Sequence, residues 1–133
     1  MAGRRGRSLV GMTVTDPEGI EIGYVSSEET NALVLGEGSS GRLRLGRRYV
    51  VGIADRITLS GPVAQMFTGL NVVDSEGEFV GVVRDTLESD DVLDSFIVED
   101  EEGAMLSVLL EDVRSIDEWM ELSVSGDSLH EKG

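Results

Sequence analysis

The stretch Leu9-Val-Gly-Met-Thr-Val-Thr-Asp-Pro-Glu-Gly-Ile-Glu-Ile-Gly-Tyr-Val25 returns 58 positions later as Phe67-Thr-Gly-Leu-Asn-Val-Val-Asp-Ser-Glu-Gly-Glu-Phe-Val-Gly-Val-Val83. Gly11, Val14, Asp16, Glu18, Gly19, Gly23 and Val25 meet Gly69, Val72, Asp74, Glu76, Gly77, Gly81 and Val83, seven identities in seventeen ungapped positions. Turn-type glycines recurring at one offset mark a duplicated unit. After a one-residue slip, Ala54-Asp55-Arg56-Ile57 faces Glu111-Asp112-Val113-Arg114. The chain therefore reads as two copies of one unit, 9–61 and 66–124, joined through Ser60-Gly61-Pro62.

Each unit reads as β. Asp16-Pro-Glu-Gly19 and Asp74-Ser-Glu-Gly77 are turn sequences: the Asp side chain accepts from the following backbone, and Gly supplies a positive φ. A short strand precedes each turn (Met12–Thr15, Leu70–Val73) and a longer one follows (Ile20–Ser27, Phe79–Leu87). Further strands are expected at Ala32–Leu35, Phe96–Glu99, Arg42–Leu45, Arg48–Val51, Ala104–Val108, Ile57–Leu59, Val113–Ile116 and Trp119–Val124. Many short strands with frequent turns predict small barrels. Gly23 and Gly81 interrupt the long strands at equivalent places, where a barrel needs a bulge or bend. Met1–Ser8 and Ser125–Gly133 are polar and are expected to be disordered.

Composition narrows the function. With 133 residues, 40 % hydrophobic and 28 % charged, the chain can bury a core. Absence of cysteine excludes disulfides, thiolate metal sites and thiol nucleophiles. No apolar run approaches the ~20 residues of a spanning helix, and the basic N-terminal residues lack the apolar stretch of a signal peptide; a cytoplasmic protein without direct membrane insertion is expected. The net charge of −15 is lopsided: residues 1–65 carry 8 − 7 = +1 and residues 66–133 carry 3 − 19 = −16. So acidic a surface disfavours nucleic acid as a general partner. Such a charge also suits a salty cytoplasm, though a solvated acidic face accounts for it equally.

A strand, then Asp-x-Glu-Gly, then an apolar-Gly-x-Val strand, in the runs Val14–Val25 and Val72–Val83, resembles the opening of the PRC-barrel family. Leu43–Ile57, and more loosely Met105–Ile116, resemble the family's later hairpin and valine strand; Gly52 departs from it, since proline is frequent there. The resemblance implies two tandem six-stranded PRC-type β-barrels. Tandem PRC-barrels with short tails are similar to archaeal proteins that act in cell division with SepF, the membrane adaptor of the FtsZ ring. It implies a non-catalytic adaptor or scaffold, recruited to the division site and partnered by SepF or a PRC-barrel paralogue as a homo- or hetero-oligomer.

Motifs for catalysis are sparse. His130, the single histidine, lies in the polar tail, where a base would lack an orienting partner. Asp90-Asp91 and Glu99-Asp100-Glu101-Glu102 lack the spacing of a calcium loop and read as solvated turns. Gly36-Glu-Gly-Ser-Ser-Gly41 matches G-x-G-x-x-G, but β-type residues follow it and Glu37 would repel phosphate, so it reads as a hairpin loop. Neither an enzyme nor a cofactor is expected.

Two surfaces remain as candidates. Arg42, Arg44, Arg47 and Arg48 form a basic strip. It is the basis of an alternative reading, an RNA- or ribosome-associated maturation factor, although only Tyr49 offers a nearby stacking ring. Pairing with the acidic second unit is the plainer role for these arginines. The second surface comes from comparing the repeats. Phe79 stands opposite Glu21 and Phe96 opposite Ala32; Tyr24 and Val82 alternate with the inward Val25 and Val83; Trp119 and Met120 lie on the closing strand. These six are candidate protein-interface residues, since exposed aromatics concentrate binding energy; packing between the two units is the plainer alternative. On the interface reading, serine at Phe79 or Phe96 weakens binding without unfolding the chain.

Overall fold

A computed structural model describes residues 8–36 and 43–131. The chain is all-β, with one five-residue helix, α1 (Val63–Phe67). The first repeat supplies β1 (Thr13–Thr15), β2 (Glu21–Glu28), β3 (Ala32–Gly36), β4 (Leu43–Gly46), β5 (Val50–Ile53) and β6 (Ile57–Leu59). The second supplies β7 (Asn71–Val73), β8 (Phe79–Ser89), β9 (Val92–Glu99), β10 (Met105–Leu109), β11 (Val113–Ile116) and β12 (Met120–Leu122), followed by a two-residue strand, β13 (His130–Glu131).

The same pairings occur twice. In each repeat four strands form an antiparallel meander, and a hairpin then returns its second strand to lie parallel to the first: β6 on β1, β12 on β7. Register shifts recur at matching places, between Val14/Thr15 and Val72/Val73, between Val25/Ser27 and Val83/Asp85, and between Val50/Gly52 and Val113/Ser115. A bulge bends its strand and increases the local twist, so a repeated set gives both units the same curvature. Gly23 and Gly81 sit beside the first of these shifts. A side chain at Gly81 would run into the backbone of Glu99, and one at Gly23 into the Gly36 carbonyl, so glycine is required by close strand approach.

Pairing corrects the alignment of the second halves. Val25 pairs with Leu35, and Val83 with Val98. The offset has therefore grown from 58 to 63, because the β8–β9 hairpin is five residues longer. Asp90 and Asp91, both at positive φ, form its two-residue turn. Ala54–Ile57 thus corresponds to Asp117–Met120, not to Glu111–Arg114, and Phe96 corresponds to Leu33, not to Ala32. Both Phe96 and Leu33 are core residues.

The strands do not divide into two separately closed barrels. Pairing runs in one order, β13-β10-β9-β8-β7-β12-β11-β4-β3-β2-β1-β6-β5. The repeats meet where β4 runs parallel to β11, with Arg44 opposite Ser115 and Leu45 opposite Ile116. The long hairpin supplies a second link: Glu21 N–H donates to the Asp91 carbonyl at 2.8 Å, and Glu21 pairs with Val92. The buried apolar side chains form one cluster across both repeats. Tyr49, Phe67 and Phe96 stack edge to face through its middle, at 5.3 and 6.1 Å between centroids.

One aspartate closes each repeat. Asp16 Oδ1 accepts from Glu18 and Ile20, and Oδ2 accepts from Val63 at the start of α1. Asp74 repeats this with Glu76 and Glu78, and its Oδ2 accepts from Gly126, 63 positions after Val63. Residues 125–131 are therefore ordered, against the disorder that polarity alone predicts: Gly126–Ser128 form a 3₁₀ turn, Leu129 packs on the core and β13 pairs with β10, while residues 1–7 and 132–133 lie outside the described residues. Arg47–Tyr49 is likewise a 3₁₀ turn rather than the start of a strand.

The backbone donors of Gly126 first, then of Glu78 and Glu76, hold the Asp74 carboxyl below its ordinary 3.8, against an opposing effect of burial. A depressed folded-state value makes this stabilisation complete above the unfolded pKa and lost as pH falls through the folded one. Asp74→Ala is expected to be less stable than wild type by a constant margin above about pH 5, and the margin should shrink below about pH 4. Urea denaturation across pH 3–7 checks this; a margin that does not shrink in acid contradicts the charged-acceptor role.

Candidate interaction surface

Arg48, the last residue of the basic strip, is built into the joint between repeats. Arg48 Nε lies 2.9 Å from Asp117 Oδ1, and its terminal nitrogen lies 3.6 Å from Glu118. The Tyr49 hydroxyl donates to the Asp117 carbonyl. Gly46 lies so close beneath Asp117 that a Cβ there would overlap the carboxylate. The 3₁₀ turn Arg47–Tyr49 thus grips the β11–β12 turn of the other repeat. Burial raises the Tyr49 pKa, with Arg48 lowering and Asp117 raising it, so the hydroxyl stays a donor at neutral pH.

Arg44 pairs with Glu29, and Arg47 reaches Glu28 and the Glu29 carbonyl. Arg42 lies outside the described residues, as does most of the Gly36–Gly41 loop. Around Arg44, Arg47 and Arg48 stand Glu28, Glu29, Asp117 and Glu118, so the local sum is 3 − 4 = −1. Such exposed pairs contribute ~0–1 kcal/mol each to stability, yet they cancel the field that would attract a polyanion. A cleft of about 310 Å³ at the β4–β11 seam repeats the pattern: Arg44 and Arg114 line it beside Glu29 and Glu121.

The six apolar candidates separate. Phe96 and Met120 are fully buried, which removes them from any surface. Phe96 belongs to the aromatic stack between the repeats, and Met120 pairs with Val72. Tyr24 (41 %), Phe79 (47 %) and Trp119 (51 %) are exposed. Val82, the counterpart of Tyr24, is half-buried. Tyr24 lies across Gly36, which leaves room for its ring. Trp119 projects from the β11–β12 turn, whose base is fastened by Tyr49, Arg48 and the Asp117 N–H to Trp119 carbonyl bond. The two aromatic contacts among the described residues run Tyr49–Phe67–Phe96, so Tyr24, Phe79 and Trp119 stand singly.

Repeat comparison missed further exposed apolar residues, of which those on β5 are the most exposed pair. Val51 and Ile53 on β5 are 67 % and 54 % exposed, and β5 ends the strand order with its outer side unpaired among the described residues. The described residues contain no group of three or more His, Cys, Asp or Glu placed to hold a metal, and no helix long and apolar enough to cross a membrane.

No known protein-family profile matches the chain, and no curated protein matches it. Among solved structures, a Pseudomonas aeruginosa protein assigned as a 16S ribosomal RNA processing protein, RimM, is similar over 52 % of this chain and 47 % of its own length, at 23 % identity and a TM-score of 0.40. The match thus spans about half of each chain.

Two substitutions separate core from surface. Phe96→Ser should cost about 3–5 kcal/mol, the range for emptying a core aromatic site. Phe79→Ser should stay within about 0.5 kcal/mol of wild type. Tyr49→Phe, which deletes only the bond to Asp117, should cost about 1 kcal/mol. Chemical denaturation of the three variants measures all of these, and equal losses for Phe96→Ser and Phe79→Ser would contradict the assignment.

Proposed function

We propose that this protein is a non-catalytic protein-interaction adaptor. The observation that carries the reading is Trp119: a large amphipathic ring, half exposed, on a turn held in place by the other repeat. Binding energy concentrates in aromatic anchors of this kind, and a fastened turn loses little freedom when a partner covers it. Tyr24 and Phe79 add exposed apolar area elsewhere on the two repeats. The RNA-directed alternative is less well supported, since the described arginines of the strip already face carboxylates.

The resemblance of Val14–Val25 and Val72–Val83 to PRC-barrel openings supplies the finer reading. On it, the chain is a tandem PRC-barrel protein of archaeal, FtsZ-based division, working in the cytoplasm at the division site. SepF or a PRC-barrel paralogue is its partner. That reading rests on family likeness, and fold does not by itself fix function.

Light scattering coupled to size-exclusion chromatography tests it, with this protein and the SepF of its source organism mixed at low and at high salt. A mixed species that survives high salt is expected, as apolar contacts are not screened. Trp119→Ala should weaken it at least tenfold, about 1.4 kcal/mol, with an unchanged unfolding midpoint. Absence of a mixed species at both salts overturns the SepF reading. Salt-sensitive binding of RNA instead would favour the alternative.

A further inference from the structure

The internal duplication shows what the open edge of β5 is shaped to receive. In the second repeat, the strand equivalent to β5 is β11, and its outer side is covered by β4 in parallel register. Ile116 is fully buried there, whereas Ile53, its counterpart 63 positions earlier, is 54 % exposed. Ile53 is thus a core-type side chain with no covering strand among the described residues. The strand equivalent to β4 is β10, and its matching side is occupied by β13, where Leu106 pairs with Glu131 and Ser107 with His130. β13 is two residues long, both exposed, and its apolar anchor is the half-buried Leu129. Among the described residues, the chain therefore uses one pair of complementary edges internally, leaves one edge of the second pair open and covers the other with a minimal strand.

We propose that a second copy of this chain docks its β10 on the open edge of β5, displacing β13 and repeating between copies the joint that β4 and β11 make within one. The register follows from the internal joint: Gly52 opposite Ser107 and Ile53 opposite Val108 of the second copy. The contact is heterologous, so it propagates head to tail, and strand addition to an exposed edge draws on backbone hydrogen bonds. Charge sets its condition. Within the chain, Arg48 meets Asp117 and Glu118. At the equivalent positions between copies, 63 positions away, Glu111 meets Ala54 and Asp55, so two carboxylates face each other with no arginine between them. The joint is repulsive at low ionic strength and is released by salt, which shortens the Debye length from about 10 Å at 0.1 M to about 3 Å at 1 M.

Sedimentation velocity of this chain alone, without SepF, tests the inference independently of the adaptor reading. Association is expected to be stronger in 1 M than in 0.1 M KCl. Leu129→Ser, which loosens the β13 anchor, should lower the concentration of half-association about tenfold. Ile53→Lys should abolish association in both backgrounds with an unchanged unfolding midpoint, because this side chain is already exposed. The register is checked by mixing Gly52→Cys protein with Ser107→Cys protein. The chain has no other cysteine, neighbouring strands lie about 4.8 Å apart, within disulfide reach, and a Cβ at Gly52 meets only Thr58, at 3.9 Å. A disulfide dimer between the two unlike variants is expected. Leu129→Ser protein that stays monomeric in 1 M KCl, association indifferent to Ile53→Lys, or no cross-link between the two cysteine variants would each overturn the proposal.

Discussion

The parallel pairing of β4 with β11 is the contact on which the rest of the structure depends. Each repeat alone has a hairpin strand with an unsatisfied outer edge and a meander strand with another. Joining one of each makes a continuous sheet, lets the two apolar faces merge into one core and brings the Arg47–Tyr49 turn onto the β11–β12 turn. Of the described arginines of the first half, Arg48 is spent in this joint, and Arg44 and Arg47 pair with Glu29 and Glu28 beside it. A domain of this length buries a limited fraction of its surface, so sharing one core between two small units contributes more than keeping two.

The local geometry of each unit rests on repeated devices that packing alone does not explain. A buried aspartate gathers three backbone donors in both repeats, two from its own turn and one from the segment that follows the repeat. Buried backbone polar groups need partners, and a carboxylate supplies several acceptor positions at one point. Asp16 thereby fastens α1, and Asp74 fastens the turn that leads into β13. Close strand crossings at Gly23 and Gly81 and three matched bulges complete the set. Duplication has preserved the backbone devices while the outward side chains have diverged: Tyr24 against Val82, Glu21 against Phe79, Arg56 against Trp119.

The two repeats differ in one feature of consequence. Five added residues lengthen the β8–β9 hairpin until its Asp90-Asp91 turn reaches β2. That insertion shifted the correspondence of everything after it, which is why a one-residue slip misaligned Ala54–Ile57 and placed Phe96 against the wrong counterpart. Read at the shorter offset, Phe96 stands against a small residue and Met120 against none, which makes both surface candidates. At the true offset, Phe96 matches the core residue Leu33, and Met120 matches Ile57, which is also buried. Tyr24 and Phe79 are exposed, whereas Trp119, read from sequence as the start of the closing strand, stands in the turn before β12.

By itself, the sequence determined the all-β class, the duplication, the Asp-x-Glu-Gly turns and the mid-strand glycines, because each depends on backbone requirements within a few residues. Polarity misjudges residues 125–131, which the Gly126 N–H to Asp74, the packing of Leu129 and the pairing of β13 with β10 hold in place. Only the tertiary structure decided which strand edges meet, that the core is shared, that Arg44, Arg47 and Arg48 face carboxylates and that β5 has an unpaired side among the described residues. Those outcomes depend on contacts between residues far apart in the chain, such as Tyr49 with Asp117 and Leu45 with Ile116, and on which of two like edges is covered. Two repeats built to the same pattern offer the same edges, so no local signal separates the one that is used from the one that is not.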